Sequence, residues 1–166
     1  RARHPLLVLV RLRVRAEGGL TANGNGEEVQ GDVIPNDLYL DDAVNGLVIS
    51  GPNAGGKTVT LKLLGLFALM VRAGLPLPCE AGSEMAFFPE VYADIGDAQD
   101  LSRDLSSFSA HITQMIGLLR HADPGALVLL DEPVTSTDPT EGAALAEALL
   151  LRLTEEGMKV VVTTHY

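Results

Sequence analysis

The most constraining feature of this sequence is a glycine-rich segment, Gly51–Thr58, that lies between a short apolar run and a long apolar stretch. It reads GPNAGGKT and satisfies the G-x-x-x-x-G-K-[ST] pattern of a phosphate-binding loop. Residues 47–50 before it predict a strand, and residues 58–73 after it predict a helix that is buried on most sides and ends at Gly74. This order of strand, loop and helix favours a P-loop nucleotide-binding core over an ordinary glycine-rich turn.

The residue types in this loop suit a nucleoside triphosphate, and we expect ATP. Glycines let the backbone curve so that successive N–H groups point at phosphate oxygens, and the N-terminus of the next helix adds a favourable dipole. We predict that Lys57 reaches the terminal phosphates and that the Thr58 hydroxyl binds Mg²⁺. The predicted nucleotide-binding residues of this segment are Gly51, Pro52, Asn53, Ala54, Gly55, Gly56, Lys57, Thr58 and Val59.

Length, charge and cysteine content limit what the chain can be. Its 166 residues, 46% of them hydrophobic, fit one domain with a core. The net charge of −10 makes it a poor nonspecific binder of nucleic acid, so we expect DNA contacts to lie elsewhere in a longer polypeptide, of which this chain is a fragment. The single Cys79 allows no internal disulfide, and the apolar run 6–10 is too short to cross a membrane. We therefore expect a cytoplasmic protein.

Hydrophobic patterning predicts alternating strands and helices behind a small N-terminal flap. Residues 1–45 predict an antiparallel β flap, with a strand over 6–15, a turn at 23–26 and short strands within 29–40. Residues 46–166 predict the P-loop core, with further strands over 85–92, 126–130 and 159–163 and further helices over 106–122 and from Pro139 to a stop at Gly157. We therefore expect an α/β fold, a P-loop NTPase of ABC-ATPase type with a mostly parallel sheet flanked by helices.

Polar residues follow three further predicted strands, where ligands bind in parallel sheets. They are Asp131-Glu132, the loop that begins at Asp94, and His165. Asp131 is in the place of a Walker-B aspartate that holds Mg²⁺, and Glu132 is placed to polarise the attacking water as general base. His165 is predicted to contact the γ-phosphate or to orient that water. Acids or a histidine at strand ends can also be structural, but the phosphate loop favours the catalytic interpretation.

Two serines begin the helix that precedes the Asp131-Glu132 strand. In ABC-type ATPases, such a helix start faces the nucleotide bound by a second subunit, and its amides and hydroxyls suit a γ-phosphate. Ser106 and Ser107 therefore predict a site completed in a homodimer, although a serine at a helix start is also an ordinary N-cap.

Seven segments carry a family resemblance: RHPLL (3–7), IPND (34–37), GPNAGGKT (51–58), ADIGD (93–97), LSSFSAH (105–111), TDPTEGAAL (137–145) and TTHY (163–166). Through them the chain resembles the MutS family of ATPases across nearly its whole length, and within it the type-2 branch associated with suppression of recombination. The resemblance implies a homodimeric, DNA-binding ATPase in which Asn53 lies by the γ-phosphate and Ile34 lies near adenine. It also implies that Ser106 or Ser107 acts across the dimer. Many members of this branch carry a nuclease domain, and some act on ribosomes.

Two alternative functions share the P-loop. The nucleotide-binding subunit of a membrane ABC transporter shares the Asp-Glu-Pro triplet and the terminal histidine. However, LSSFS at residues 105–109 lacks the glycines of the transporter LSGGQ signature. A non-hydrolysing nucleotide switch would use the same loop, with ATP setting only the state of the dimer.

Overall fold

A four-stranded parallel sheet organises the computed structural model of this chain. The structure describes residues 21–22, 28–29, 37–40, 43–52, 55–95, 113, 115–120, 122–133 and 139–164. Its strands are β1 (Thr21–Ala22), β2 (Glu28–Val29), β3 (Gly46–Ser50), β4 (Val91–Asp94), β5 (Leu127–Asp131) and β6 (Lys159–Thr164). Its helices are α1 (Lys57–Arg72), α2, of which residues 113 and 115–120 are described, and α3 (Pro139–Glu155). The α/β class predicted from the sequence is confirmed.

The order of the strands in the sheet is β3-β6-β5-β4, and every neighbouring pair is parallel. Strand β6 therefore lies between β3, which precedes the phosphate loop, and β5, which ends in the acidic pair. The register pairs Ser50 with Thr164 and Asp131 with Thr163. Because parallel strands end at one edge of a sheet, the loop and the acids share that edge.

Helix α1 covers one face of the sheet, because its apolar side chains recur at helical spacing. They form a core with alternate residues of β5 and β6, whose buried members include Leu61, Leu64, Phe67, Ala68, Leu127, Leu129 and Val161. A Cβ added at Gly65 would lie 2.8 Å from Leu129 Cδ1, so helix and sheet approach closely there.

The prediction that α1 is buried on most sides is wrong. The side chains of Val59, Leu66 and Leu69 are 63%, 54% and 50% exposed, so the helix buries one face and presents apolar residues on the other. The predicted stop is present: Gly74 has φ +69°, and the amides of Gly74 and Leu75 donate to the carbonyls of Val71 and Met70. These are the two hydrogen bonds of a Schellman motif.

Helices α2 and α3 cover the opposite face. Their buried residues pack against the β5 and β6 side chains that α1 does not contact, in a second core that includes Met115, Leu118, Val128, Leu130, Leu149, Leu153, Val160 and Val162. The two outer layers and the sheet between them place every residue of β5 from Leu127 to Leu130 in a core, as its unbroken apolar run predicts.

The predicted strand over residues 85–92 lies too early in the chain. Strand β4 begins at Val91, and the residues from Met85 to Pro89 have no strand structure. Proline has no N–H to donate to a ladder, so Pro89 disfavours a strand through this segment. Phe88 is nevertheless 1% exposed and Phe87 59% exposed, so one of the two aromatic rings anchors the segment to the core.

The N-terminal region contributes a short antiparallel pair. Thr21 pairs with Val29 and Ala22 with Glu28. The strand predicted over 6–15 lies outside the described residues. Within the described ranges, no helix combines the length and hydropathy that crossing a membrane requires.

Candidate functional site

The phosphate loop joins β3 to α1 through backbone conformations that favour glycine. Gly51 has φ +153° and Gly56 has φ +77°, and the amide of Gly55 donates to the carbonyl of Pro52 at 2.9 Å. Gly56 is the N-cap of α1 and supplies no side-chain cap, and the first turn of the helix contains no acidic residue. No acidic side chain of that turn therefore neutralises the positive end of the helix dipole, which suits an anion.

Lys57 is the first residue of α1 and is buried. Its side chain is 5% exposed, and its Nζ donates to the carbonyl of Gly51 at 2.7 Å. The same Nζ lies 4.0 Å from Oε1 of Glu132, whose side chain is 17% exposed. Because a buried ammonium requires polar partners, these contacts hold the cation under the loop and beside the acidic pair.

Glu132 follows β5 in a backbone conformation that is uncommon for residues with a side chain. Its φ is +51°, the left-handed region. Its amide donates to both the carbonyl and the hydroxyl oxygen of Thr163, each at 3.2 Å. These bonds to β6 stabilise a conformation that would otherwise be costly, at the point where the chain leaves the sheet.

Thr163 is the residue of this site that sequence reasoning missed. It is fully buried, and its hydroxyl donates to Oδ1 of Asp131, its register partner on β5. The TTHY segment (163–166) includes this threonine, but only His165 of that segment was predicted as a site residue. The signal that could have found it is a hydroxyl in the strand KVVVTT, because a buried strand of valines has no packing need for one.

The structure describes part of the predicted site. Lys57 and Glu132 lie together, and Asp131 lies beside Glu132 at the end of β5. Thr58 is half-buried and Val59 is exposed, and among the described residues no hydrogen bond joins Thr58 to Asp131. The predicted residues that lie outside the described ranges are Ile34, Asn53, Ala54, Ser106, Ser107 and His165.

Oxygen atoms near the loop suit a hard cation such as Mg²⁺. In the part of the chain that the structure describes, no group of three or more His, Cys, Asp or Glu residues is arranged to hold a metal. Magnesium at nucleotide sites does not require one, because it binds one or two protein oxygens and completes its shell with phosphate oxygens and water. The Thr58 hydroxyl and the Asp131 carboxylate contain oxygen atoms of the type that Mg²⁺ binds.

A separate cavity of about 310 Å³ lies on the α2 side of the sheet. Residues of β4, β5 and α2 line it, among them Tyr92, Asp94, Met115 and Leu130. Neither Lys57 nor Glu132 lines this cavity, so the groups suited to phosphate chemistry lie at the loop instead.

Comparison with known proteins gives a consistent family result. Residues 47–166 match the sequence model of MutS domain V. The chain is also similar to proteins named Endonuclease MutS2. It is 53% identical over 134 residues to the one from Lachnoclostridium phytofermentans and 51% identical over 134 residues to the one from Acetivibrio thermocellus. It is 44% identical over 155 residues to the one from Clostridium beijerinckii.

These matches cover most of this chain and a small part of each relative. They cover 81%, 81% and 92% of this chain, in the order given, but only 17%, 17% and 20% of the relatives. The chain therefore spans about a fifth or less of the length of the curated relatives it matches.

Proposed function

The chain belongs to the MutS family through its match to domain V, and on that premise we propose that it is the ATP-binding and ATP-hydrolysing domain of a type-2 MutS protein. The observation that carries the proposal is the contact between the loop and the acidic pair. Lys57 Nζ lies 4.0 Å from Glu132 Oε1, although the two residues follow different, non-adjacent strands. A cation buried beside a carboxylate under a glycine loop provides the opposite charges that phosphoryl transfer to water requires.

The residues of the site divide the work of hydrolysis. Bound ATP with Mg²⁺ supplies the phosphoanhydride bond and the metal charge that polarises it. Lys57 and the loop amides neutralise the terminal phosphates, while Thr58 and Asp131 would hold the metal ion. Glu132 accepts a proton from the attacking water, which lies in line with the bond that breaks. His165 orients this water or contacts the γ-phosphate.

The Lys57–Glu132 contact is consistent with these proposed roles of Lys57 in phosphate binding and of Glu132 as base. Both Glu132 and a γ-phosphate are anions, so a phosphate that takes the Lys57 ammonium releases the carboxylate from it. The released carboxylate is then available to a water molecule as a base. The ion pair thus keeps both groups desolvated and close to their working positions before nucleotide binds.

The proposal extends to the whole protein. Asn53 and Ile34 contact the γ-phosphate and the adenine, and Ser106 or Ser107 completes the site across a homodimer. The net charge of −10 supports DNA contacts outside these residues, in a protein that suppresses homologous recombination or acts in DNA repair. The relatives' name, Endonuclease MutS2, supports nuclease activity in another part of a longer polypeptide, and a role at ribosomes is a further proposal from the family resemblance.

The experiment that tests hydrolysis compares Glu132→Gln with the unchanged full-length protein in single-turnover ATP cleavage. We expect Glu132→Gln to bind ATP and to cleave it about 10²–10⁴-fold more slowly, because it lacks the base. Glu147→Gln, an exposed change on α3, is the matched control and should cleave ATP at the unchanged rate. Equal rates for all three proteins would rule out Glu132 as base. Tight ATP binding without cleavage by the unchanged protein would indicate a nucleotide switch.

A further inference from the structure

Thr163 occupies the centre of the catalytic edge of the sheet. It lies on β6, between the strand that leads into the phosphate loop and the strand that ends in the acids. It is fully buried, and a buried hydroxyl is costly unless it is hydrogen-bonded. Both partners of its hydroxyl are the acidic residues of the proposed site.

The two hydrogen bonds of this hydroxyl fix its polarity. The Thr163 Oγ1–H donates to Asp131 Oδ1, and Oγ1 accepts the amide of Glu132 at 3.2 Å. A hydroxyl has one proton and two lone pairs, and an ionised carboxylate can only accept. The proton therefore points at Asp131 and a lone pair points at Glu132. One side chain holds both acidic residues at the same time.

For Asp131, the bond determines which oxygen remains for a ligand. The final torsion of an aspartate is broad and gives little intrinsic order to its two oxygens. A hydrogen bond to Oδ1 fixes the plane of the carboxylate, and among the described residues no other side chain donates to it. Oδ2 is then the oxygen that can face a metal ion or metal-bound water.

For Glu132, the bonds hold the backbone in its left-handed conformation. The amide is shared between the Thr163 carbonyl and hydroxyl, and φ is +51°. This conformation directs the side chain to within 4.0 Å of Lys57. Loss of the hydroxyl would leave the Glu132 amide with one acceptor, the Thr163 carbonyl. The Glu132 side chain would then be oriented towards Lys57 less firmly.

We propose that Thr163 is a positioning residue for ATP hydrolysis. Its hydroxyl orients Asp131 for the metal ion and Glu132 for the attacking water. This inference rests on the function proposed above. Groups that orient metal ligands in this way commonly change metal affinity or activity by about 10–100-fold when they are removed.

The test uses Thr163→Val and Thr163→Ser in the full-length protein. Valine keeps the shape and removes the hydroxyl, so we expect kcat to fall about 10–100-fold and the Mg²⁺ concentration for half-maximal activity to rise. KM for ATP should change much less, because the loop and Lys57 hold the phosphates. Serine keeps the hydroxyl and should restore both kcat and the Mg²⁺ dependence. Thr154→Val, which removes a hydroxyl bonded to the Leu151 carbonyl in α3, is the control and should leave both unchanged.

Several outcomes would overturn the inference. The first is a Thr163→Val variant with the kcat and Mg²⁺ dependence of the unchanged protein, and the second is a Thr163→Ser variant with a kcat as low as that of Thr163→Val. The third is a Thr163→Val variant in which only the unfolding temperature falls. If the valine variant does not fold, serine is compared with cysteine, which has a similar size but is a weak donor. Equal kcat and Mg²⁺ dependence for those two would equally contradict the role.

Failure of the proposed function gives a different result. In that case the unchanged protein itself cleaves no ATP, and the role of Thr163 is measured as Mn²⁺ affinity in the ATP complex, detected by electron paramagnetic resonance. Thr163→Val should weaken Mn²⁺ binding about 10-fold or more, and serine should not. Equal Mn²⁺ affinities in all three proteins would overturn the inference independently of hydrolysis.

Discussion

Two buried lysines lie at opposite ends of the parallel sheet and make nearly the same contact. Lys57 is 5% exposed and Lys159 is 4% exposed, and each Nζ donates to a backbone carbonyl at 2.7 Å, that of Gly51 or of Val44. Burial and hydrogen bonding alone therefore do not separate a lysine proposed to bind phosphate from one proposed to be structural.

The surroundings of the two lysines differ. Lys57 begins a helix after a glycine loop and lies 4.0 Å from the carboxylate of Glu132. Lys159 begins β6, where the connections between elements are closed by backbone bonds such as Lys159 N–H to the Ala126 carbonyl at 2.9 Å. Lys57 thus lies beside a carboxylate at the carboxyl edge, whereas Lys159 lies among backbone bonds that tie connections to the sheet at the amino edge.

The largest expected effect is at the carboxyl edge. Lys57→Met in the full-length protein removes the donor proposed to neutralise phosphate charge, so we expect ATP turnover to fall roughly 10²–10³-fold. The rise in unfolding temperature that ATP causes should disappear as well, because binding stabilises only through its affinity for the folded state. Turnover assays and thermal unfolding with and without ATP measure both. Near-normal ATP turnover by Lys57→Met would contradict a functional role for Lys57 and leave it, like Lys159, with a structural role only.

Lys159→Met is the matched change at the amino edge. It keeps an unbranched side chain and removes the bond to the Val44 carbonyl, so we expect the free energy of unfolding to fall by about 1–2 kcal/mol. ATP turnover of the folded protein should stay unchanged. Urea unfolding and turnover of the same preparation check this. A large loss of turnover at unchanged stability would contradict a structural role.

The smallest expected effect is a pH dependence at the amino ends of β4 and β5. Tyr92 donates to Glu90 Oε2 at 2.8 Å, and this hydrogen bond, together with desolvation and the nearby carboxylate charges, raises the pKa of Tyr92 above its ordinary value of 10.0. A raised pKa in the folded state means that the neutral phenol stabilises the fold below that ordinary value. This contribution is lost as the pH rises through the folded-state pKa.

Tyr92→Phe tests that dependence. The variant has no phenol at this position, so its unfolding free energy should fall less steeply than that of the unchanged protein as the pH is raised above about 10. Urea unfolding at several alkaline pH values provides the comparison. Parallel curves of unfolding free energy against pH would show that the Glu90 contact does not stabilise the folded protein. A change in ATP turnover of Tyr92→Phe at neutral pH would link the amino edge of the sheet to the proposed hydrolysis.

The sequence predicted features that are encoded in consecutive residues and missed features that depend on pairing between distant strands. The phosphate loop and the acids after an unbroken apolar run are each contained in a few consecutive residues, and both flanking elements formed where expected. Thr163 was missed because the strand KVVVTT shows only that a hydroxyl is present, whereas its partner depends on the register between β5 and β6. Strand β4 was placed too early because the apolar Phe87-Phe88 pair resembles a strand, although only one of the two rings is buried.

The left-handed backbone at Glu132 has a consequence for engineering this domain. Glycine adopts a φ of +51° without strain, so substitution by glycine is the change at this position that most relaxes the folded backbone. The same replacement would remove the carboxylate beside the buried Lys57 ammonium, so the relief of backbone strain is opposed by the loss of a charged partner. Stability at this position therefore depends on a balance between backbone strain and an ion pair, and retaining glutamate keeps the carboxylate that the proposed hydrolysis requires.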